Sequence, residues 1–323
     1  MRFLSVMLKK TFQMESKRIE AIDIAKGIGI FLVVIGHFIN MCSYPGRVIY
    51  SFHMPLFFFL SGICFNEKKY ATLQELFGNR ARTLLWPCFC FTMAISLSQS
   101  VLISIPLCSL RQELPGALWF LPILFVAEIF YFYLRRIKKN YRLMILLTTY
   151  CIGVAFHEEL QGLPYKISFI PKALLYYGLG HILKDKTLYY LREFLLSSKA
   201  KRYASLFLLI SVVLVSAAFC PNEANLLVSM LKVAVALCGI FATLMFCSTP
   251  FPALLKKSIL FLGQNTLVIM AVHVFFMRCS LYYLEPIVDS YVLYKIIEFI
   301  FVWSTSLLCV CIVNRYASWI KRI

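Results

Sequence analysis

Lys26 and His37 stand eleven residues apart in the run KGIGIFLVVIGHF, which is apolar enough to cross a bilayer. Ionisable groups at membrane depth are expensive to insert, and where they occur they usually mark function. An α-helix has 3.6 residues per turn, so eleven residues bring the second side chain to within about 20° of the first, about 16 Å along the axis. The pattern predicts a cation near one membrane surface and an imidazole most of the way to the other. The imidazole can take a proton from a hydroxyl, and the ammonium can hold an anion or polarise a carbonyl. Each residue also has a plainer reading. His37 can hydrogen-bond between packed helices, and Lys26 can reach for the head groups from a helix boundary. Asp23, three residues before Lys26, is spaced for an ion pair with it.

Other residues join this set. His53 enters the second apolar segment from the side at which His37 leaves the first, so the two imidazoles are expected to be neighbours. Arg80 and Arg82 precede the third segment. Two guanidiniums there can clamp the phosphates of a nucleotide-like donor, or serve only as cytoplasmic anchors. Glu128 lies inside the fourth segment, where a carboxylate needs a partner. Trp119, near the start of that segment, suits the membrane interface. Asn265 and His273 lie at the ninth segment. Gly27, Gly29 and Gly36 allow close helix approach or leave room for a ligand. No GxSxG, HExxH, Walker A or GxGxxG pattern stands in a fitting context. The twelve cysteines are scattered without a CxxC, and neither a disulfide nor a metal site is assigned.

The elements that must position these groups are apolar helices. Hydrophobic residues make up 61% of the 323, charged residues 15%, and mean hydropathy is +0.78. A soluble domain carries about 45–50% apolar and about 25% charged residues. Ten apolar segments are predicted: 22–41, 48–65, 84–105, 117–134, 143–156, 167–183, 204–219, 226–247, 266–284 and 292–313. The fold class is therefore all-α, a polytopic membrane protein of about ten transmembrane helices. Most of the 33 basic residues fall in alternate connections, within 2–18, 68–82, 135–142, 184–202, 256–257 and 315–322. The other connections carry few basic residues, such as Arg47, Arg111 and Lys166, and hold Glu113, Glu158, Glu159, Glu223 and Asp289. The positive-inside rule then puts both termini in the cytoplasm. The net charge of +18 is spread as cytoplasmic loops facing anionic lipid require, which argues against a nucleic-acid partner. Residues 188–198 read either as an amphipathic segment on the cytoplasmic face or as an ordinary linker. Three regions are expected: a cytoplasmic extension 1–20, a membrane domain 21–315 and a cytoplasmic tail 316–323. Met14 opens a segment that reads as a natural start, and no signal peptide is expected before it.

Six stretches occur in a telling order: RIEAIDIAKGIGIFLVVIGHF (18–38), SFHMPLFFFLSG (51–62), RARTLLWP (80–87), GALWFLPILFVAEI (116–129), YYGLGHILK (176–184) and FLGQNTLVIMAVH (261–273). Together the chain resembles the acyltransferase-3 family of integral-membrane O-acyltransferases, and most of all its fucose 4-O-acetylase-like branch. The resemblance implies a ten-helix core in a bacterial inner membrane. It implies an acyl-CoA donor, usually acetyl-CoA, as co-substrate with no bound cofactor, and a hydroxyl of a surface or lipid-linked carbohydrate as acceptor. It maps a basic-residue-x10-His signature onto Lys26 and His37 and a donor-binding basic pair onto Arg80 and Arg82; His53 is expected to orient or assist His37. Many members carry arginine at the position of Lys26, and lysine lacks the bidentate fork. A reading from another class is a glycan exporter or flippase without acyl chemistry, since polar residues inside multi-span proteins also mark transport paths.

Overall fold

The computed structural model describes residues 2–103, 114, 116–219 and 225–317, and no strand occurs among the described residues. Arg111, Glu113, Glu223 and the tail residues 318–323 lie outside them. In a bilayer every backbone N–H and C=O must be satisfied within the segment, which favours helices wherever the sequence stays apolar. Among the described residues each of the ten expected segments is helical over most of its length. They are α1 (Arg2–Phe38), α2 (Tyr44–Cys64), α3 (Leu73–Arg80) running into α4 (Trp86–Leu102), α5 (Phe120–Leu134), α6 (Lys139–Ala155), α8 (Ile170–Ile182), α10 (Lys199–Phe219), α11 (Leu226–Cys247), α13 (Thr266–Tyr283) and α14 (Tyr291–Tyr316). The short α7 (His157–Gln161) follows α6, α9 (Lys184–Leu196) covers most of the stretch with two readings, and α12 (Ala253–Gln264) precedes α13.

Among the described residues seven helices are long and apolar enough to cross a membrane: Glu20–Phe38, Tyr44–Cys64, Leu73–Leu102, Lys199–Ala218, Leu226–Cys247, Thr266–Ile287 and Tyr291–Tyr316. The other three expected spans, α5, α6 and α8, have 15, 17 and 13 residues. A straight helix needs about 20 residues to cross. The long helices turn large apolar side chains outward, Phe207, Leu227 and Ile300 among them. Water would penalise such surface, and lipid does not. The chain is thus an all-helical polytopic membrane protein. Helix α1 runs through residue 20, and its membrane-crossing part is Glu20–Phe38.

The chain forms two compact units. One gathers α1, α2 and α9 to α12; the other gathers α3 to α7, α8 as far as Leu179, α13 and α14. In the first unit α1 packs on α12 at a glycine crossing. A Cβ on Gly27 would lie 2.1 Å from the Ile259 carbonyl oxygen, and one on Gly263 would lie 1.9 Å from that of Asp23. Backbone approaches backbone there, and small residues are the usual means of close helix contact in membranes. An ion pair between Lys256 and Glu20 joins the same two helices. Phe57 of α2 fills the space beside Gly29, and Phe52 of α2 fills the space beside Gly239 of α11.

In the second unit α3 and its continuation pack on α5, with the Phe77 and Phe125 rings 5.2 Å apart. Residues Ala81–Leu85 form a π-helical turn between α3 and α4. Such turns are rare and recur at functional positions, because one inserted residue re-aims its neighbours. Phe65, Tyr131 and Tyr177 make an edge-to-face cluster beneath this region, with centroids 5.3–6.0 Å apart.

Candidate functional site

The residues singled out by their chemistry divide between the units. In the first unit, Lys26 Nζ lies 3.5 Å from Asp23 Oδ1, the i,i+3 pair that the spacing predicted. Both side chains are partly open. The glycine crossing with α12 fixes the turn that carries them, since Gly263 abuts the Asp23 carbonyl itself. Asn265 ends α12 at that point. It is buried, and its amide donates 2.7 Å to the Phe261 carbonyl, one of the orphan acceptors at the helix end.

His37 sits in the last turn of α1 and is exposed. The preceding Gly36 brings α2 close, because a Cβ on it would meet Ile49 and Tyr50 at 3.4–3.5 Å. The Tyr50 hydroxyl donates 3.2 Å to the Gly36 carbonyl. The Tyr50 ring packs edge-on against His53, with centroids 4.9 Å apart. His53 is 4% exposed, and its Nδ1 lies 2.8 Å from the Ile49 carbonyl. A carbonyl only accepts, so Nδ1 carries the proton and Nε2 of the neutral ring is the basic nitrogen. Tyr50 is thus the element between the end of α1 and the second imidazole. Nothing about Tyr50 distinguished it in sequence from the other aromatic residues of the segment.

In the second unit Glu128 has its required partner. Arg80 Nε lies 2.5 Å from Glu128 Oε2, with the two side chains 17% and 2% exposed. The contact pairs the charges by proximity, although the Nε–H is not aligned along it. The Tyr177 hydroxyl lies within electrostatic reach of both. Arg82, by contrast, is exposed and lines an open pocket of about 420 Å³ with Lys69, Tyr70, Gln74, Glu75, Gly78 and Asn79. Side chains two residues apart on a helix do not share a face, so Arg80 turns inward to a carboxylate and Arg82 turns to the pocket.

Trp119 precedes α5. Its ring packs 4.9 Å from Phe169, and the Lys166 ammonium lies 5.9 Å from its centroid. His273 is fully buried in α13, with Nδ1 2.8 Å from the Ile269 carbonyl, the same local bond that His53 makes.

Sequence reasoning passed over several groups. Arg135 and Arg142 read as loop charges. Arg135 instead donates 2.7 and 2.8 Å to the carbonyls of Glu67 and Tyr70, with its guanidinium 4.0 Å from the Phe132 centroid. Arg142 donates 3.1 Å to the Tyr131 hydroxyl. Glu298 is a second intramembrane carboxylate, 3% exposed and bonded at 2.8 Å to Lys295. Its i,i+3 spacing from that lysine was the available signal.

Comparison with known proteins bears on the whole of this arrangement. The chain is 34% identical over 156 residues to nodulation protein NolL of Mesorhizobium japonicum, an alignment covering 42% of this chain and 40% of that protein. The chain thus matches well under half the length of that relative. No solved structure matches it. The profile of a family described as an acyltransferase domain matches residues 19–320, which takes in Lys26, His37, His53, Arg80, Arg82, Glu128 and every other singled-out residue. The chain therefore belongs to the acyltransferase-3 family.

Proposed function

We propose that this protein is a membrane O-acyltransferase that moves an acyl group, acetyl by preference, from acyl-CoA to a hydroxyl of a surface or lipid-linked carbohydrate. The family profile over residues 19–320 carries this reading. The placement of the chemically able groups supports it. His37, open at the end of α1, takes the proton of the acceptor hydroxyl as its oxygen attacks the thioester carbonyl. The carbon–sulfur bond then breaks, the thiolate of coenzyme A leaves, and the proton passes on to it. A short-lived acyl group on His37 itself is the two-step form of the same transfer. His53, its proton fixed on Nδ1 by Ile49, presents Nε2 to assist, and Tyr50 holds its ring in place. Lys26, steadied by Asp23, supplies positive charge for the carbonyl oxygen or the donor. Arg82 contributes to holding the donor's phosphates. The membrane domain spans 21–315, and its home is a bacterial inner membrane.

The test uses purified protein in lipid nanodiscs, labelled acetyl-CoA and carbohydrate acceptors. Label recovered as an ester on carbohydrate supports the proposal. Carbohydrate moved across reconstituted vesicles with no ester formed would replace it with the exporter reading.

A further inference from the structure

A cavity of about 580 Å³ opens beside α9 in the first unit. That volume falls within the range of about 300–1,000 Å³ that ligand pockets span. Three stripes build its walls. Tyr190, Glu193 and Phe194 of α9, with Ser197 at its end, make one. Lys201, Ser205 and Leu209 of α10 make the second, and Leu237, Phe241 and Met245 of α11 the third. Side chains three and four residues apart share a helix face, so the cavity runs along α10 and α11 rather than across them. Its character changes with depth. Lys201 and Ser205 lie at the basic end of α10, which the positive-inside rule puts at the cytoplasmic surface. Leu209 lies about 12 Å further in than Lys201 at 1.5 Å per residue. On the returning α11, Met245 is nearest that surface and Leu237 about 12 Å deeper. The Phe59 ring of α2, 6.0 Å from that of Phe241, backs the deep wall.

The rim carries both signs of charge. Glu193 of α9 and Lys201 of α10 are exposed there. The two rim serines turn their protons on their own backbone: Ser197 donates 2.7 Å to the Phe194 carbonyl, and Ser205 donates 2.9 Å to the Lys201 carbonyl. Their oxygens are left to accept. A ligand that satisfies this rim offers an anion to Lys201 and N–H donors to Glu193 and the serine oxygens. One that satisfies the groove below it offers an apolar chain. Phosphatidylethanolamine joins these parts, a phosphate beside a primary ammonium above two acyl chains. The quaternary ammonium of phosphatidylcholine has no N–H to donate, and phosphatidylglycerol brings no cation for Glu193. We propose that this cavity binds phosphatidylethanolamine of the cytoplasmic leaflet, with one acyl chain between α10 and α11 and the head group bridging Glu193 to Lys201. The lipid then ties α9, which is joined to α10 through Ser197 and Ser198, against the rest of the unit. The assignment rests on neither the donor nor the acceptor of acyl transfer.

The full chain is purified in detergent, and native mass spectrometry measures retention of phosphatidylethanolamine, phosphatidylcholine and phosphatidylglycerol by wild type, Glu193→Gln, Lys201→Gln and Leu209→Trp. Wild type should hold phosphatidylethanolamine several-fold better than the other two. Each rim variant should weaken that binding roughly 10-fold, as loss of a charge-assisted hydrogen bond implies. Leu209→Trp, which fills the chain groove, should abolish it. Equal retention of all three lipids, unmoved by the variants, would mean annular lipid only and overturns the proposal. A preference for phosphatidylglycerol that Lys201→Gln alone removes gives the site to anionic lipid and overturns it too. If the variants do not fold, the wild type is photolabelled with phosphatidylethanolamine carrying a diazirine in one chain. The label should concentrate on residues 205–209 and 237–245, and label spread evenly over the lipid-facing helices would refute the site.

Discussion

Removing one member of the Arg80–Glu128 pair should cost far more than removing both. The atoms are 2.5 Å apart, and the Glu128 side chain is 2% exposed. Glu128→Leu leaves a guanidinium, which cannot shed its charge, inside the helix bundle with no counter-charge. Breaking a buried pair in this way costs about 3–5 kcal/mol. For a chain of this size 1 kcal/mol moves the thermal midpoint by about 2 °C, so Glu128→Leu should lower it by roughly 6–10 °C. Replacing both partners with apolar side chains of similar bulk removes the desolvation penalty together with the attraction, and such exchanges are often near neutral. Arg80→Met with Glu128→Leu should therefore recover most of the loss, giving a coupling of about 2 kcal/mol or more in the cycle. The assay is fluorescence-detected size-exclusion after heating, in one detergent and at one protein concentration. Purely additive effects, or a Glu128→Leu midpoint within about 1 °C of wild type, would mean that the two charges do not depend on each other.

Four other variants have outcomes that follow from the geometry. Gly263→Ala should lower the thermal midpoint by several degrees, because its Cβ would sit 1.9 Å from the Asp23 carbonyl oxygen. Gly78→Ala should raise stability by about 1 kcal/mol, since its Cβ meets nothing within 4 Å and alanine favours the helix. His53→Asn should keep the midpoint close to wild type, because an amide can still donate to the Ile49 carbonyl as Asn265 does to Phe261. Acetyl transfer by that variant should fall about 100-fold with the basic Nε2 gone, within the range for a lost acid–base group. Tyr50→Phe should cost about 1 kcal/mol, the ordinary net value of the hydrogen bond to Gly36.

The helices were legible because the bilayer imposes length and apolarity on every crossing, and among the described residues each of the ten expected segments is helical over most of its length. Local pairs were legible too. Asp23 and Lys26 share one helix, so their spacing alone predicts the contact found. The stretch with two readings at 188–198 lies largely within α9. Partners brought together by packing were not legible. The sequence demanded a partner for Glu128 but not which one, because Arg80 comes from another helix, α3, and only packing brings the two together. The two basic residues of the RAR stretch read as a single clamp, and their i,i+2 spacing on a helix sends them different ways. Tyr50 was hidden among many aromatics, since only tertiary contact picks out the one that touches both Gly36 and His53. Arg135 and Arg142 were counted as topology signals, and charge alone does not tell a solvated arginine from one that holds a loop.

The account turns on the imidazole at the end of α1. The most direct measurement compares ester-linked acetyl on carbohydrate made by wild type and His37→Ala in the same cells, by NMR of the purified glycan. Matched membrane levels and thermal midpoints would establish that both proteins fold. The account predicts that the variant is present and folded with ester acetyl lost. A folded His37→Ala protein that leaves ester acetyl at the wild-type level would contradict it.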